Sequence, residues 1–168
     1  MTAEGSDVIV VGVDGSAGGA AALRWTLSEA RVSGREVVAL RAWTVDPVAD
    51  PEWATTRAKG EAEARCRWRA EQAVAQVLDG ADPVPVRVEA VEGAPGPALV
   101  RAARNAAMLV VGSHGHGRLL RLLVGSVSAH CLRESRCPVV VVPARTAEEQ
   151  GPVPDSDVAR TYQLGPLL

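Results

Sequence analysis

Residues 112–128 read GSHGHGRLLRLLVGSVS, and this stretch gathers the residue types best suited to holding an anion. Gly112, Gly115 and Gly117 let the backbone bend and let a ligand come close to peptide N–H groups. Gly125-Ser126 then leads into a helical pattern. A helix N-terminus offers unpaired N–H groups and the positive end of the helix dipole, a combination suited to phosphate. Ser126 and Ser128 add hydroxyls. The stretch therefore predicts a phosphate cradle. A glycine turn closed by a serine helix cap uses the same residue types and is the competing reading.

Two familiar nucleotide loops are excluded. The GxxxxGK[ST] pattern is absent, and Lys59, the only lysine, falls on a predicted helix away from any glycine loop. The dinucleotide GxGxxG is also absent after the first strand, where Gly12, Gly15, Gly18 and Gly19 have the wrong spacing. Phosphates would thus be held by amides and hydroxyls, without a lysine point charge. His114 and His116 form an HxH pair with no further ligand in register, since His130 and Cys131 fall on the following helix. Asp14 stands just after an apolar strand, where a carboxylate can meet a ligand or cap the next helix. Trp43 and Trp53 flank a loop where they could shield a purine or simply pack. No GxSxG elbow, HExxH pair or paired carboxylates occur, so at most slow nucleotide hydrolysis is expected, with Asp14 the only obvious base.

These groups need a scaffold, and the apolar pattern supplies one. Residues 8–13 (VIVVGV) form a continuous β-branched run, as in a strand buried on both faces of a parallel sheet. From Ala17 the apolar spacing turns helical through Ala20, Leu23, Leu27 and Ala30, and Gly34 suits the C-cap. Residues 36–43 read as a second strand and 44–56 as a proline-bearing loop. A charged helix over roughly 57–78 buries Cys66, Ala70, Val74 and Val77. Residues 85–91 alternate and read as a third strand nearer an edge. A helix opened by Pro95 and Pro97 runs to about Asn105. Residues 108–111 form the fourth strand, 126–134 the fourth helix and 138–142 the fifth strand. This β-α alternation predicts an α/β fold with a parallel sheet and helices on both faces. Ligands bind such sheets beyond the carboxyl ends of the strands. Asp14-Gly15-Ser16 and the Gly112 stretch both sit at such ends.

The 168 residues suit one domain, and 47% apolar composition suffices for a core of small Ala, Val and Leu contacts without any Phe. Expected boundaries are a flexible 1–6, a folded domain at 7–143 and a flexible tail at 144–168, which could dock only through Leu164, Leu167 and Leu168. A net charge of -2 argues against nucleic acid as a partner. No apolar run approaches the roughly 20 residues of a membrane span. The polar N-terminus lacks a signal-peptide pattern, so no membrane association and a cytoplasmic location are expected. Cys66, Cys131 and Cys137 make no CxxC pair and read as free thiols in a reducing compartment.

Gly112, two residues, Gly115, nine residues, then Gly125-Ser126 resembles the ATP-binding motif of the universal stress protein family. Val13-Asp14-Gly15-Ser16 and the run from Cys137 to Pro143 resemble the family as well, and the similarity extends over about 8–143. The resemblance implies a single Rossmann-like sheet of five parallel strands in the order 3-2-1-4-5. It implies Asp14 at the ribose, Ala42 lining the adenine pocket, and Val111 and Gly112 against the nucleoside. Gly115, Gly125, Ser126 and Ser128 would take the phosphates. ATP is the implied ligand, with AMP and cyclic AMP as alternatives. ATP commonly carries Mg2+, for which Asp14 is the nearest carboxylate. The family also implies a homodimer through the apolar fifth strand, Val139, Val140, Val141 and Val142, and a role in the stress response. The implied role is regulatory, signalling by ATP occupancy or dimer state. A nucleotide-free dimeric interaction module and a slow ATP hydrolase are the alternative functions. Three positions depart from the family pattern: Ala94 replaces a common acidic cap, Ala107 a common aspartate, and Arg118 a further glycine.

Overall fold

The computed structural model describes residues 7–44, 56–78, 84–113 and 124–144. The elements follow in the order β1 (Val8–Gly12), α1 (Ala17–Ser33), β2 (Glu36–Trp43), α2 (Thr56–Val77), β3 (Val86–Glu92), α3 (Pro95–Ala102), β4 (Met108–Gly112), α4 (Ser126–Glu134) and β5 (Val139–Val142). All strand pairs are parallel, in the sheet order β3-β2-β1-β4-β5. The fold class and strand order expected from the sequence are therefore those observed, with β3 and β5 at the two edges.

Alternation along the strands divides the core into two layers. Ile9, Val11, Val37, Ala39 and Val110 point to one face, where they pack with Leu23, Leu27 and Ala30 of α1 and Ala70 and Val74 of α2. Val10, Val38, Leu40, Leu109 and Val111 point to the other, against Ala98 and Leu99 of α3 and Cys131 of α4. The central strands β1 and β4 are covered on both faces, which is why they read as unbroken apolar runs.

Boundaries differ from the sequence expectations by one to three residues. Val13 falls outside β1, yet its N–H still donates to Leu40 O at 2.9 Å. The third helix ends as an α-helix at Ala102 and tightens into a 3-10 turn over Ala103–Asn105. On α2, Cys66, Ala70 and Val74 are buried and Val77 is half-buried, as the spacing predicts. On α1 the buried stripe is wider than Leu23, Leu27 and Ala30. It takes in Gly18, Gly19, Ala22 and Thr26, while Ala20 stays half-buried. Thr26 is accommodated because its Oγ1 donates to Ala22 O at 2.8 Å. Gly34 caps α1 in the left-handed region, as expected, with its N–H donating to Ala30 O at 2.8 Å.

Candidate functional site

The switch point of this sheet lies between β1 and β4, because the chain moves outward to β2 and β3 on one side and to β4 and β5 on the other. At the carboxyl end of β1 the chain turns through Asp14-Gly15-Ser16. Asp14 Oδ1 accepts from Ser16 N at 2.9 Å and from Ser16 Oγ at 2.6 Å. Ser16 Oγ accepts in turn from Gly19 N at 3.0 Å and so caps α1. Gly15 has a φ of +84°, a conformation that costs a side chain energy. Of the two roles open to Asp14, the helix cap itself falls to Ser16. Asp14 holds that cap and is fixed at the end of β1.

At the end of β4 a second turn comes very close to the first. A Cβ on Gly112 would stand 2.6 Å from the carbonyl carbon of Gly18 and 2.7 Å from its oxygen. Backbone thus meets backbone where α1 begins and β4 ends. Ser113 then anchors the chain on both sides. Its N–H donates to Val142 O at 2.8 Å, and its carbonyl accepts from Gly125 N at 2.8 Å. The Ser128 hydroxyl lies 3.2 Å from Ser113 O and 3.1 Å from Gly125 O. The two ends of segment 114–123 are therefore tied together at the carboxyl end of β4, and the start of α4 is tied with them.

The start of α4 differs from that of α1. Its N-cap is Gly125, and no side-chain hydrogen bond caps it. The serine-cap reading is not realised at this helix. Ser126 is exposed in its first turn, and Ser128 is 2% exposed with its hydroxyl engaged by backbone carbonyls. Among the described residues, no side chain caps the N–H groups of this first turn. Ala42 is half-buried near the end of β2 and shares an apolar layer with Val111. Gly115 lies outside the described residues, as do His114, His116, Gly117, Arg118 and Trp53.

Sequence reasoning overlooked Arg41. One of its guanidinium nitrogens, Nη1, would be 3.5 Å from a Cβ on Gly15, so a cation stands over the Asp14 turn. Its carbonyl meets Cys66 Sγ at 3.6 Å. Only the parity of β2 hints at this position. Arg41 shares the face of Val37 and Ala39, opposite Ala42, and strand alternation alone does not say how far its side chain reaches. Trp43, next along β2, is half-buried, and its Nε1 is shielded with no acceptor among the described residues.

These residues fit an adenine nucleotide. The side-chain-uncapped helix start suits phosphate oxygens. The fixed carboxylate suits ribose hydroxyls, and Ala42 offers a small apolar surface of the kind that suits a flat base. Among the described residues no three His, Cys, Asp or Glu side chains gather as a metal site. Any Mg2+ would accordingly depend on the nucleotide's own phosphates and water as well as Asp14. Among the same residues, no helix is long and apolar enough to cross a membrane.

The family model described as the universal stress protein family matches residues 5–143. A universal stress protein of Mycolicibacterium smegmatis is 35% identical over 140 residues, 80% of this chain and 47% of that protein. Universal stress protein Rv2005c of Mycobacterium tuberculosis is 35% identical over 134 residues, covering 79% and 44%. The chain thus spans under half the length of these relatives. Among solved structures, universal stress protein UspA from Lactobacillus plantarum shares the fold, with a TM-score of 0.67 at 21% identity over 84% of this chain and 99% of that one. A universal stress protein solved in complex with cAMP is 27% identical, with a TM-score of 0.55 and coverage of 84% and 100%. By the match of sequence over most of its length, the chain belongs to the universal stress protein family.

Proposed function

We propose that this chain binds ATP at the carboxyl ends of β1 and β4 and acts in the cytoplasm as a stress-response regulator, signalling by nucleotide occupancy or dimer state. The observation that carries the reading is the start of α4. It is anchored to β4 through Ser113, while no side chain among the described residues caps its first turn. An anion at this end gains both hydrogen bonds and the favourable end of the helix dipole. The solved relative with bound cAMP supports an adenine nucleotide as the chemical class.

In this reading Asp14 accepts from the ribose, Ala42 and Val111 line the base and nucleoside, and Gly112 provides a floor without a side chain. Gly115, Gly125 and Ser126 face the phosphates. Ser128 serves from behind, since its hydroxyl already holds the loop base. When bound, Mg2+ would offset phosphate charge, with Asp14 as its protein carboxylate. A second copy pairs along β5 through Val139, Val140, Val141 and Val142, all half-buried in the single chain. Hydrolysis is slow or absent in this reading, because Asp14 is the only obvious base in the sequence and is engaged with the ribose.

The test has two parts. Mass spectrometry of small molecules released from the purified protein should find ATP, or else AMP or cyclic AMP. Calorimetry should show ATP binding that is lost in a Gly115→Val/Ser126→Ala variant whose circular dichroism is unchanged. Equal ATP affinity in that variant would remove the loop from the site.

A further inference from the structure

A second place on the molecule has the chemistry of an anion site. α3 and α4 lie on the same face of the sheet, and both run from its carboxyl end towards its amino end. They touch near the start of α3, where a Cβ on Gly96 would be 2.7 Å from His130 Cδ2. Beyond that contact a cleft of about 330 Å³ opens between them. Its size is at the lower end of the range for small-molecule pockets. It lies towards the end of the sheet away from Asp14 and Gly112.

The cleft gathers Arg101 from the last turn of α3, Arg104 from the 3-10 turn and Arg136 from just after α4, together with His130. Glu134 is the single carboxylate in its lining, and Val100 adds an apolar wall. Two arginines elsewhere on the described surface pair with carboxylates. Arg67 pairs with Glu63, and Arg87 with Glu36 and Glu89. Arg101, Arg104 and Arg136 form no ion pair with any described carboxylate, Glu134 included. Three arginines thus line one hollow with one carboxylate among its described residues, and Arg101 Nη2 reaches to 3.7 Å from the Cβ position of Gly93. The whole chain carries -2, so this surplus is local and not a general basic character. The two helix C-termini nearby offset part of it and do not fill the hollow.

We infer that the α3–α4 cleft is a second anion-binding site, suited to a compact small molecule bearing two phosphoryl groups, held by Arg101, Arg104 and Arg136. Guanidinium forks pair with phosphoryl oxygens through parallel hydrogen bonds. The hollow has room for a group the size of pyrophosphate. The inference is independent of nucleotide binding at the other end of the sheet.

The experiment is titration of the full chain with inorganic pyrophosphate, followed by calorimetry and by backbone amide shifts. Saturable binding is expected, with shifts at 100–104 and 130–136. An Arg101→Gln/Arg104→Gln variant should bind at least tenfold more weakly, since each charge-assisted contact removed costs about that factor. An Arg136→Gln variant should weaken binding separately, with unchanged melting temperature in both. Ser126→Ala should leave these shifts in place. The inference fails if pyrophosphate does not saturate, if its shifts fall only at 112–113 and 124–128, or if both arginine variants bind as the parent does.

Discussion

Gly112→Ala tests the contact on which the candidate site is built. The added Cβ would lie 2.6 Å from the carbonyl carbon of Gly18, whereas unstrained carbon contacts begin at roughly 3.5 Å. Neither backbone can easily yield. β4 is hydrogen-bonded between β1 and β5, and the first turn of α1 is held by the Ser16 cap. Overpacking of this kind costs about 3 kcal/mol, and the reduced freedom of the unfolded chain returns about 1 kcal/mol. The clash therefore wins, by about 2 kcal/mol. For a chain of 168 residues that lowers Tm by about 4–8 °C. Gly60→Ala is the control. Gly60 lies within α2 with nothing near its added Cβ, so only helix propensity changes. It should raise stability by about 1 kcal/mol and Tm by about 2–4 °C. Both variants go through the same differential scanning calorimetry. If Gly112→Ala melts with or above the parent while Gly60→Ala behaves as expected, α1 and β4 do not approach as described.

Two further outcomes follow from single groups. Ser16→Ala removes the acceptor of Gly19 N and the hydroxyl that donates to Asp14, so it should cost about 1–2 kcal/mol by urea denaturation, while Ser16→Asp retains an acceptor and costs less. A Ser16→Ala loss within error of zero would mean that water replaces the cap without penalty. Burial raises the Cys131 thiol from 9.0 to about 11, and burial also raises Cys66, with Arg41, Arg69 and Arg67 nearby working against the rise. The fold therefore keeps these thiols neutral while an unfolded chain ionises at a lower pH. Their contribution is complete below about pH 8.5 and declines above it, for Cys131 as the pH rises towards 11. At pH 8 a thiol reagent should label the half-buried Cys137 in the native protein and all three cysteines only after denaturation. Rapid native labelling of Cys131 would contradict its burial.

Much of the scaffold was legible because its signals are local. β2 and α4 occupy the residues that apolar period and turn chemistry indicate, and the glycine break after β4 marks a strand's carboxyl end before any coordinates are known. Strand order is different, since periodicity does not say which strands are neighbours. It came from the resemblance carried by Gly112, Gly115 and Gly125-Ser126. Ser128 shows a further limit of sequence reading. As a residue type it suits phosphate, and whether its hydroxyl faces solvent depends on where Ser113 O lies, 15 residues away in sequence.

The amino-acid sequence by itself determined the succession of strands and helices, the two polar turns at strand ends and the exclusion of a lysine-based phosphate loop. These depend on residue type and short-range spacing. Tertiary structure alone decided that Gly112 rests on Gly18, that Ser16 takes the cap and Asp14 supports it, that Arg41 overhangs that turn, and that three arginines from separate segments face one hollow. Each of these pairings joins atoms whose separation is set by how the helices pack on the twisted sheet, a quantity that no local pattern of residues encodes.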